Sequence, residues 1–312
     1  VNLFIQGLRR SGTTILYDAL CQDSRLETFY EPFAEGREGV LGGGSGVQPI
    51  DLFEKIRGLR KEFLAGWPDL DAGMLNYGAP TKPWLEFAPD MPEFCRAYIR
   101  LMLSKGPHVA IKFTRMYCKI GVLKEINPDA ALVIIVRDPR AVTASYLFGK
   151  DQRTRSAYPD EATFFSKRSA MNAWRVRDFS DHLLQQPQYA ALGECEDFLR
   201  VLLVWKHTFL AALEGARRHY PGRALVLRHE DLQDTPVETM KRVYDHAGLA
   251  FPEPLAAWLR QNVRRGSAPY AADDSRWREA FRRLGLEETL ELAGYAPAPG
   301  RSKSFLGLFR RK

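Results

Sequence analysis

The stretch that most constrains the fold lies at the start of the chain. A short apolar run, Val1 to Ile5, reads as a strand and leads into Gly7-Leu8-Arg9-Arg10-Ser11-Gly12-Thr13-Thr14. The residues that follow, Ile15-Leu16-Tyr17-Asp18-Ala19-Leu20, place apolar side chains at helical spacing. A strand, a glycine-bounded loop and a helix form an anion site. The loop's N–H groups point inward, and the helix N-terminus adds partial positive charge.

The Gly7-x4-Gly12 spacing is that of a nucleotide-binding P-loop, with Thr14 in the Ser/Thr slot. The lysine expected after Gly12 is replaced by Thr13, and the basic groups sit within the loop as Arg9 and Arg10. The loop therefore reads as a phosphate cradle without its triphosphate-reading lysine.

Beyond it, strands and helices alternate. Leu26 to Tyr30 reads as a second strand, and Glu31 follows at its C-terminal end, the edge where open α/β sheets bind ligands. Gly42 to Gly46 lies in a loop, and Asp51 to Leu64 has helical periodicity. Ala65 to Pro92 has no assignable period and suits a lid or substrate wall. Glu93 to Lys105 reads as a helix, Val109 to Phe113 as a strand ending near Lys112, and Leu123 and Ile126 as the close of another helix. Ala130 to Val136 is the strongest strand signal, and its unbroken apolar run fits a strand buried on both faces of a parallel sheet. Arg137-Asp138-Pro139-Arg140 breaks it, and a helix continues to Phe148. Tyr158 to Tyr220 reads as mostly helical, an insertion or cover whose aromatic stripe suits core packing. A strand at Ala224 to Leu227, an acidic turn at His229 to Leu232, and helices from Pro236, from Pro252 to Asn262 and from Asp274 to Leu284 complete the pattern. This alternation predicts a parallel α/β sheet within one domain, residues 1–295, with 36–107 as an acceptor-side insertion and 296–312 as linker and basic tail.

No run of about 18 apolar residues is present. Four scattered cysteines without CxxC spacing argue against a zinc site and for reduced thiols in a cytoplasmic setting. The chain starts inside its first strand without methionine, which leaves an upstream anchor or further domain open. The net charge of +7 suits anionic ligands without choosing among them. The basic tail leaves contact with a membrane surface open, although a disordered end is the plainer reading.

Arg137 offers a bidentate fork at a strand end, and Ser145 lies two turns into the next helix. Pairing of Arg137 with Asp138 is the competing reading. Taken together, Gly7-x-x-Arg10-Ser11-Gly12-Thr13-Thr14 and Arg137-Asp138-Pro139-Arg140-x4-Ser145 resemble the two cofactor signatures of the sulfotransferases. Arg264-Arg265-Gly266 resembles that family's basic-basic-Gly loop, Trp277 its following tryptophan, and Val226 to Leu232 its "YEDL" segment. The resemblance is closer to the glycan, tyrosylprotein and bacterial types than to the cytosolic phenol type, and it is weak between Glu35 and His108.

The resemblance implies a P-loop-like three-layer α/β sandwich with a central parallel sheet and a large helical insertion. It also implies a metal-independent enzyme using 3′-phosphoadenosine 5′-phosphosulfate (PAPS) and releasing 3′-phosphoadenosine 5′-phosphate (PAP). Arg9, Arg10, Ser11, Gly12, Thr13 and Thr14 would hold the 5′-phosphosulfate. Arg137, Ser145, Arg264, Arg265 and Gly266 would grip the 3′-phosphate. Arg10 would stabilise the leaving group, with Lys112 as a second cation. The phenol-type enzymes have their histidine base where this chain has Thr114. Glu31 matches the glutamate base of the glycan and tyrosylprotein types instead, and apolar neighbours are expected to raise its pKa into a useful range. His108 and His229 are reserve bases. The partner is a hydroxyl-bearing acceptor (a glycan, peptide or natural product), and no nucleic acid is expected. The alternatives are a P-loop small-molecule kinase, which would need the missing lysine, and a non-catalytic polyanion-binding protein.

Overall fold

A computed structural model describes residues 1–33, 51–78, 83–148, Phe165, 176–263 and 274–295. The Gly42–Gly46 loop, Arg264-Arg265-Gly266 and the tail 296–312 lie outside the described residues. Five parallel strands form one sheet in the order β2-β3-β1-β4-β5: β1 (Asn2–Gln6), β2 (Glu27–Tyr30), β3 (Val109–Phe113), β4 (Ala131–Val136) and β5 (Ala224–Arg228). Within the sheet, Ile5 pairs Lys112 on one side and Val133 on the other.

Two apolar layers enclose the sheet, and the two-residue period of each strand decides which side chain enters which layer. Leu3, Ile5, Ala131, Val133 and Ile135 face one layer. That layer contains Leu16 and Leu20 of α1 (Thr13–Leu20) and residues of the C-terminal helices such as Met240 and Leu259. Phe4, Ile111, Phe113, Leu132, Ile134 and Val136 face the other, with Val201, Leu202, Trp205 and Phe209. Every residue of β3 and β4 is buried, which is why neither strand shows polar alternation.

Among the described residues the further α-helices are α2 (Asp51–Ala65), α3 (Pro83–Phe87), α4 (Glu93–Leu103), α5 (Ile120–Ile126), α6 (Pro139–Phe148), α7 (Val176–Leu184), α8 (Asp197–His219), α9 (His229–Asp234), α10 (Pro236–Ala247), α11 (Glu253–Asn262), α12 (Ser275–Leu284) and α13 (Leu286–Leu292). Ile56, Leu59 and Phe63 of α2 and Tyr98 and Ile99 of α4 enter the same core as the sheet.

The structure departs from the sequence pattern at several points. The unassigned 65–92 stretch contains α3 and a 3₁₀ turn, Ala72–Gly78. The acidic turn after β5 is the helix α9. A helix unmarked in the pattern, α13, follows Gly285, whose φ of 56° caps α12 in the left-handed conformation that glycine adopts without strain. Within the helical block, α8 covers one face of the sheet and supplies Trp205, whose indole Nε1 donates to the Arg137 carbonyl at 3.0 Å.

Candidate active site

The C-terminal ends of β1, β2, β3 and β4 bring the candidate residues to one edge. β1 turns at Gly7, where a Cβ would lie 2.6 Å from the Ile135 carbonyl oxygen, so only glycine lets the loop pass this close to β4. Arg10 and Gly12 have φ of 71° and 87°, which curl the loop before α1 begins at Thr13. The first N–H groups of α1 lack intrahelical partners by geometry and face the loop's concavity. Ser11 and Thr13 are buried, and the Thr14 hydroxyl lies 3.3 Å from that of Tyr30.

The two cofactor signatures meet here. Arg10 Nε donates to Ser145 Oγ of α6 at 2.7 Å, and an Arg137 guanidinium nitrogen donates to the Arg10 carbonyl at 3.1 Å. Asp138 is occupied elsewhere. It pairs Arg140 at 2.6 Å and accepts from the Arg140 N–H at the start of α6, so Arg137 is directed to the loop. His229, at the end of β5, packs its ring on Gly12, and a Cβ there would lie 2.1 Å from Nδ1. That Nδ1 is buried and has no hydrogen-bond partner among the described residues. Burial, then the charge of Arg137, pushes the His229 pKa down to about 3, so the ring is neutral at working pH. A reserve base with that proton affinity has little driving force. The other reserve, His108, stands at the opposite end of β3, 2.9 Å from the N-terminal nitrogen of Val1.

Glu31 and Lys112 form the second group. Lys112 is 2% exposed and donates to Glu31 Oε1 at 2.5 Å, while Thr114 Oγ1 donates to Oε2 at 3.0 Å. The Lys112 ammonium also sits 4.1 Å from the Tyr30 ring centroid. Glu31 itself has a φ of 43°, a rare conformation for a non-glycine residue, fixed by its N–H donating to the Lys112 carbonyl at 3.0 Å. Lys112 is thus a buried partner rather than an exposed structural lysine. The expectation of a raised Glu31 pKa is corrected. Burial pushes it up, but Lys112, Arg9 and the two hydrogen bonds outweigh burial and hold it below the ordinary carboxylate value.

Arg9 is directed elsewhere than Arg10. It lines a cavity with Leu8, Thr114, Arg115, Glu86, Tyr146, Val176, Phe179 and Val204. Sequence reasoning missed Glu86 and Arg115. Arg115 follows Thr114 off β3 and was open to recognition by that position, but Glu86 lies in the stretch with no period. Trp277 is buried, with its ring 4.9 Å from that of Phe165 and 6.0 Å from that of Phe198, within the aromatic core.

The sequence profile of the Sulfotransferase family matches residues 2–190, more than half of the chain. The chain belongs to the sulfotransferase family. Omega-hydroxy-beta-dihydromenaquinone-9 sulfotransferase Stf3 of Mycobacterium tuberculosis is 25% identical, over 96% of this chain and 79% of that protein. Carbohydrate sulfotransferase 2 of Homo sapiens is 30% identical over 50% of this chain, and carbohydrate sulfotransferase 1 of Danio rerio is 27% identical over the same share. These matches span only 29% and 32% of the two carbohydrate enzymes. The crystal structure of sulfotransferase STF9 from Mycobacterium avium superposes with a TM-score of 0.53 at 15% identity, covering 95% of this chain and 77% of that one. That likeness shows the shared sulfotransferase fold, the P-loop-like α/β sandwich. Among the described residues, no helix is long and apolar enough to cross a membrane.

Proposed function

We propose that this sulfotransferase-family chain, with residues 1–295 acting as one domain, transfers a sulfuryl group from PAPS to an acceptor hydroxyl. The observation that carries the reading is the convergence of Arg10, Ser145 and Arg137 on one loop, beside the Lys112–Glu31–Thr114 group. The residues fit PAPS. The loop concavity and the donors Arg10, Arg137, Ser145 and Thr14 suit two separate phosphate groups. The bound PAPS supplies the activated sulfuryl group.

Glu31 takes the acceptor's proton as the acceptor oxygen bonds to sulfur. Arg10 would hold the 5′-phosphate side of bound PAPS and stabilise the negative charge of the leaving group. Lys112 holds Glu31 ionised and in place. Any anion that draws the Lys112 ammonium away raises the basicity of Glu31, so this pair can be quiet until the site fills. The acceptor is a hydroxyl of a glycan, peptide or natural product. The activities in the relatives' names, on carbohydrates and on a menaquinone ω-hydroxyl, support an alcohol over a phenol.

Calorimetric titration with PAP is the test, followed by a labelled-sulfate screen over acceptor classes. PAP is expected to bind without added metal, and turnover to survive a chelator. Arg137→Ala should weaken PAP binding by about tenfold or more, the scale of a lost charge-assisted hydrogen bond. A wild-type protein that ignores PAP yet turns over ATP with Mg²⁺ would replace this reading with the kinase one.

A further inference from the structure

Arg137-Asp138 joins β4 to α6. Arg137 is the first residue past the strand, and α6 starts at Pro139 and carries Ser145 two turns on. Two soft dihedrals flank the peptide between them, ψ of Arg137 and φ of Asp138. Rotation about either would swing Ser145 away from Arg137. This peptide is gripped at both ends. Its carbonyl accepts from Trp205 Nε1 at 3.0 Å, and its N–H donates to Glu230 Oε1 of α9 at 3.0 Å. The C=O and N–H of a trans peptide point in opposite directions, so the two bonds together fix its plane.

Glu230 is itself braced. Its second oxygen, Oε2, accepts from the Tyr295 hydroxyl at 2.8 Å. Tyr295 follows α13, and local chemistry sets its place. Gly294 has a φ of 82°, its N–H donates to the Glu291 carbonyl at 3.0 Å, and the Tyr295 N–H donates to the Leu290 carbonyl at 2.9 Å. These are the two bonds of a Schellman cap, which glycine in the left-handed region closes without strain. Arg228, the last residue of β5, holds the cap from the sheet side. A guanidinium nitrogen donates to the Gly294 carbonyl at 3.1 Å, and the guanidinium lies 5.5 Å from the Tyr295 ring centroid. Asp231 steadies Arg228 in turn, accepting from its Nε at 3.1 Å. Burial, then the charge of Glu230, pushes the Tyr295 pKa up, so the phenol stays protonated and remains the donor.

We infer that Glu230, braced by Tyr295, is a positioning residue for the grip of Arg137 on the cofactor. This role rests on the proposed function, which gives Arg137 a phosphate of PAPS to hold. The carboxylate makes a charge-assisted bond to the Asp138 N–H, at the N-terminal end of α6, where negative charge is favourable. With the peptide locked between Trp205 and Glu230, Arg137 keeps its reach to the Arg10 carbonyl, and α6 keeps Ser145 against Arg10 Nε. Segments remote in sequence (α8, the corner between β5 and α9, and the end of α13) thus converge on one turn of the proposed phosphate grip.

Calorimetric titration of the whole protein with PAP and with adenosine 5′-phosphate, which lacks the 3′-phosphate, reads the grip as a ratio of affinities. Glu230→Ala should lower PAP affinity about tenfold, the scale of one lost hydrogen bond to a charged group, and leave adenosine 5′-phosphate within about twofold. Tyr295→Phe keeps the ring against Arg228 and removes only the hydroxyl. It should lower the same ratio about threefold, and it serves as the test if Glu230→Ala folds poorly. Because Glu230 acts through Arg137, Glu230→Ala should cost nothing further in the Arg137→Ala background. Equal losses for both nucleotides, additive losses in the double variant, or unchanged PAP binding in both single variants overturns the assignment. A second measurement needs no nucleotide. The Asp138 amide should exchange with solvent at least about tenfold faster in Glu230→Ala than in the wild type, and unchanged exchange likewise overturns the assignment. A wild-type protein that ignores PAP would sink the cofactor reading, and amide exchange alone would then decide whether Glu230 locks the peptide.

Discussion

Gly12→Ala is expected to weaken PAP binding by about a hundredfold or more, roughly 2.7 kcal/mol. Two costs add. The φ of 87° at Gly12 puts a Cβ against the backbone, worth about 1–2 kcal/mol. The same Cβ would lie 2.1 Å from His229 Nδ1, and overpacking of that kind costs about 1–3 kcal/mol. The protein would shed both by moving the loop, and the loop is the proposed phosphate site. The second cost has an identifiable partner, so Gly12→Ala/His229→Ala should recover part of the affinity and leave the φ term. Gly7→Ala makes the contrast. Its Cβ would meet the Ile135 backbone oxygen at 2.6 Å, and no side-chain truncation can relieve that. Calorimetry with PAP reads all of these variants. If Gly12→Ala binds PAP as the wild type does, the loop does not hold the cofactor in the conformation described.

Glu31→Gln should lower kcat by roughly a hundredfold to ten-thousandfold, the contribution typical of a positioned general base, with PAP affinity little changed. The variant also leaves Lys112, 2% exposed, without its counter-charge. Breaking a buried pair costs about 3–5 kcal/mol, so the melting temperature should fall and rates must be measured well below it. Undiminished kcat in the Glu31→Gln variant would remove Glu31 from the chemistry. The wild-type pH dependence supplies an independent check. The folded pKa of Glu31 lies below its ordinary value, so its ionised form, and the stability the pair contributes, are present above the ordinary carboxylate range. Both are lost only as pH falls through the lower folded value. The acid limb of kcat/KM, which reports the free enzyme, is therefore expected below the usual carboxylate range. A limb near neutrality would mean that another group is the base.

Local pattern carried much of this protein. The N-terminal strand, loop and helix, the buried β4 run and the position of Glu31 after β2 were all legible, because each depends on neighbouring residues and on the period of burial. So was the resemblance carried by Arg10, Arg137 and Ser145, which is an order of residue types along the chain. The helix α3 escaped because five residues, Pro83–Phe87, give too little periodicity to read. With it went Glu86. Trp205 was legible as core, but its bond to the Arg137 carbonyl was not, since 68 residues separate them.

The sequence alone determined that a parallel α/β sheet would present a lysine-less phosphate loop with a carboxylate beside it. Only the tertiary structure decided the electrostatics of that carboxylate. Neighbours along the chain, Tyr30 and Phe33, argue for a raised pKa. Register in the sheet places Lys112 beside Tyr30 in the adjacent strand and sets its ammonium against Glu31, which reverses the direction. The division of labour between Arg9 and Arg10 has the same origin. Adjacent residues in a loop with φ of 71° at Arg10 diverge, and what each meets, Arg115 or Ser145, is set by strands and helices more than a hundred residues away. Charge acts through space, so the sign of a shift follows from packing and not from sequence proximity.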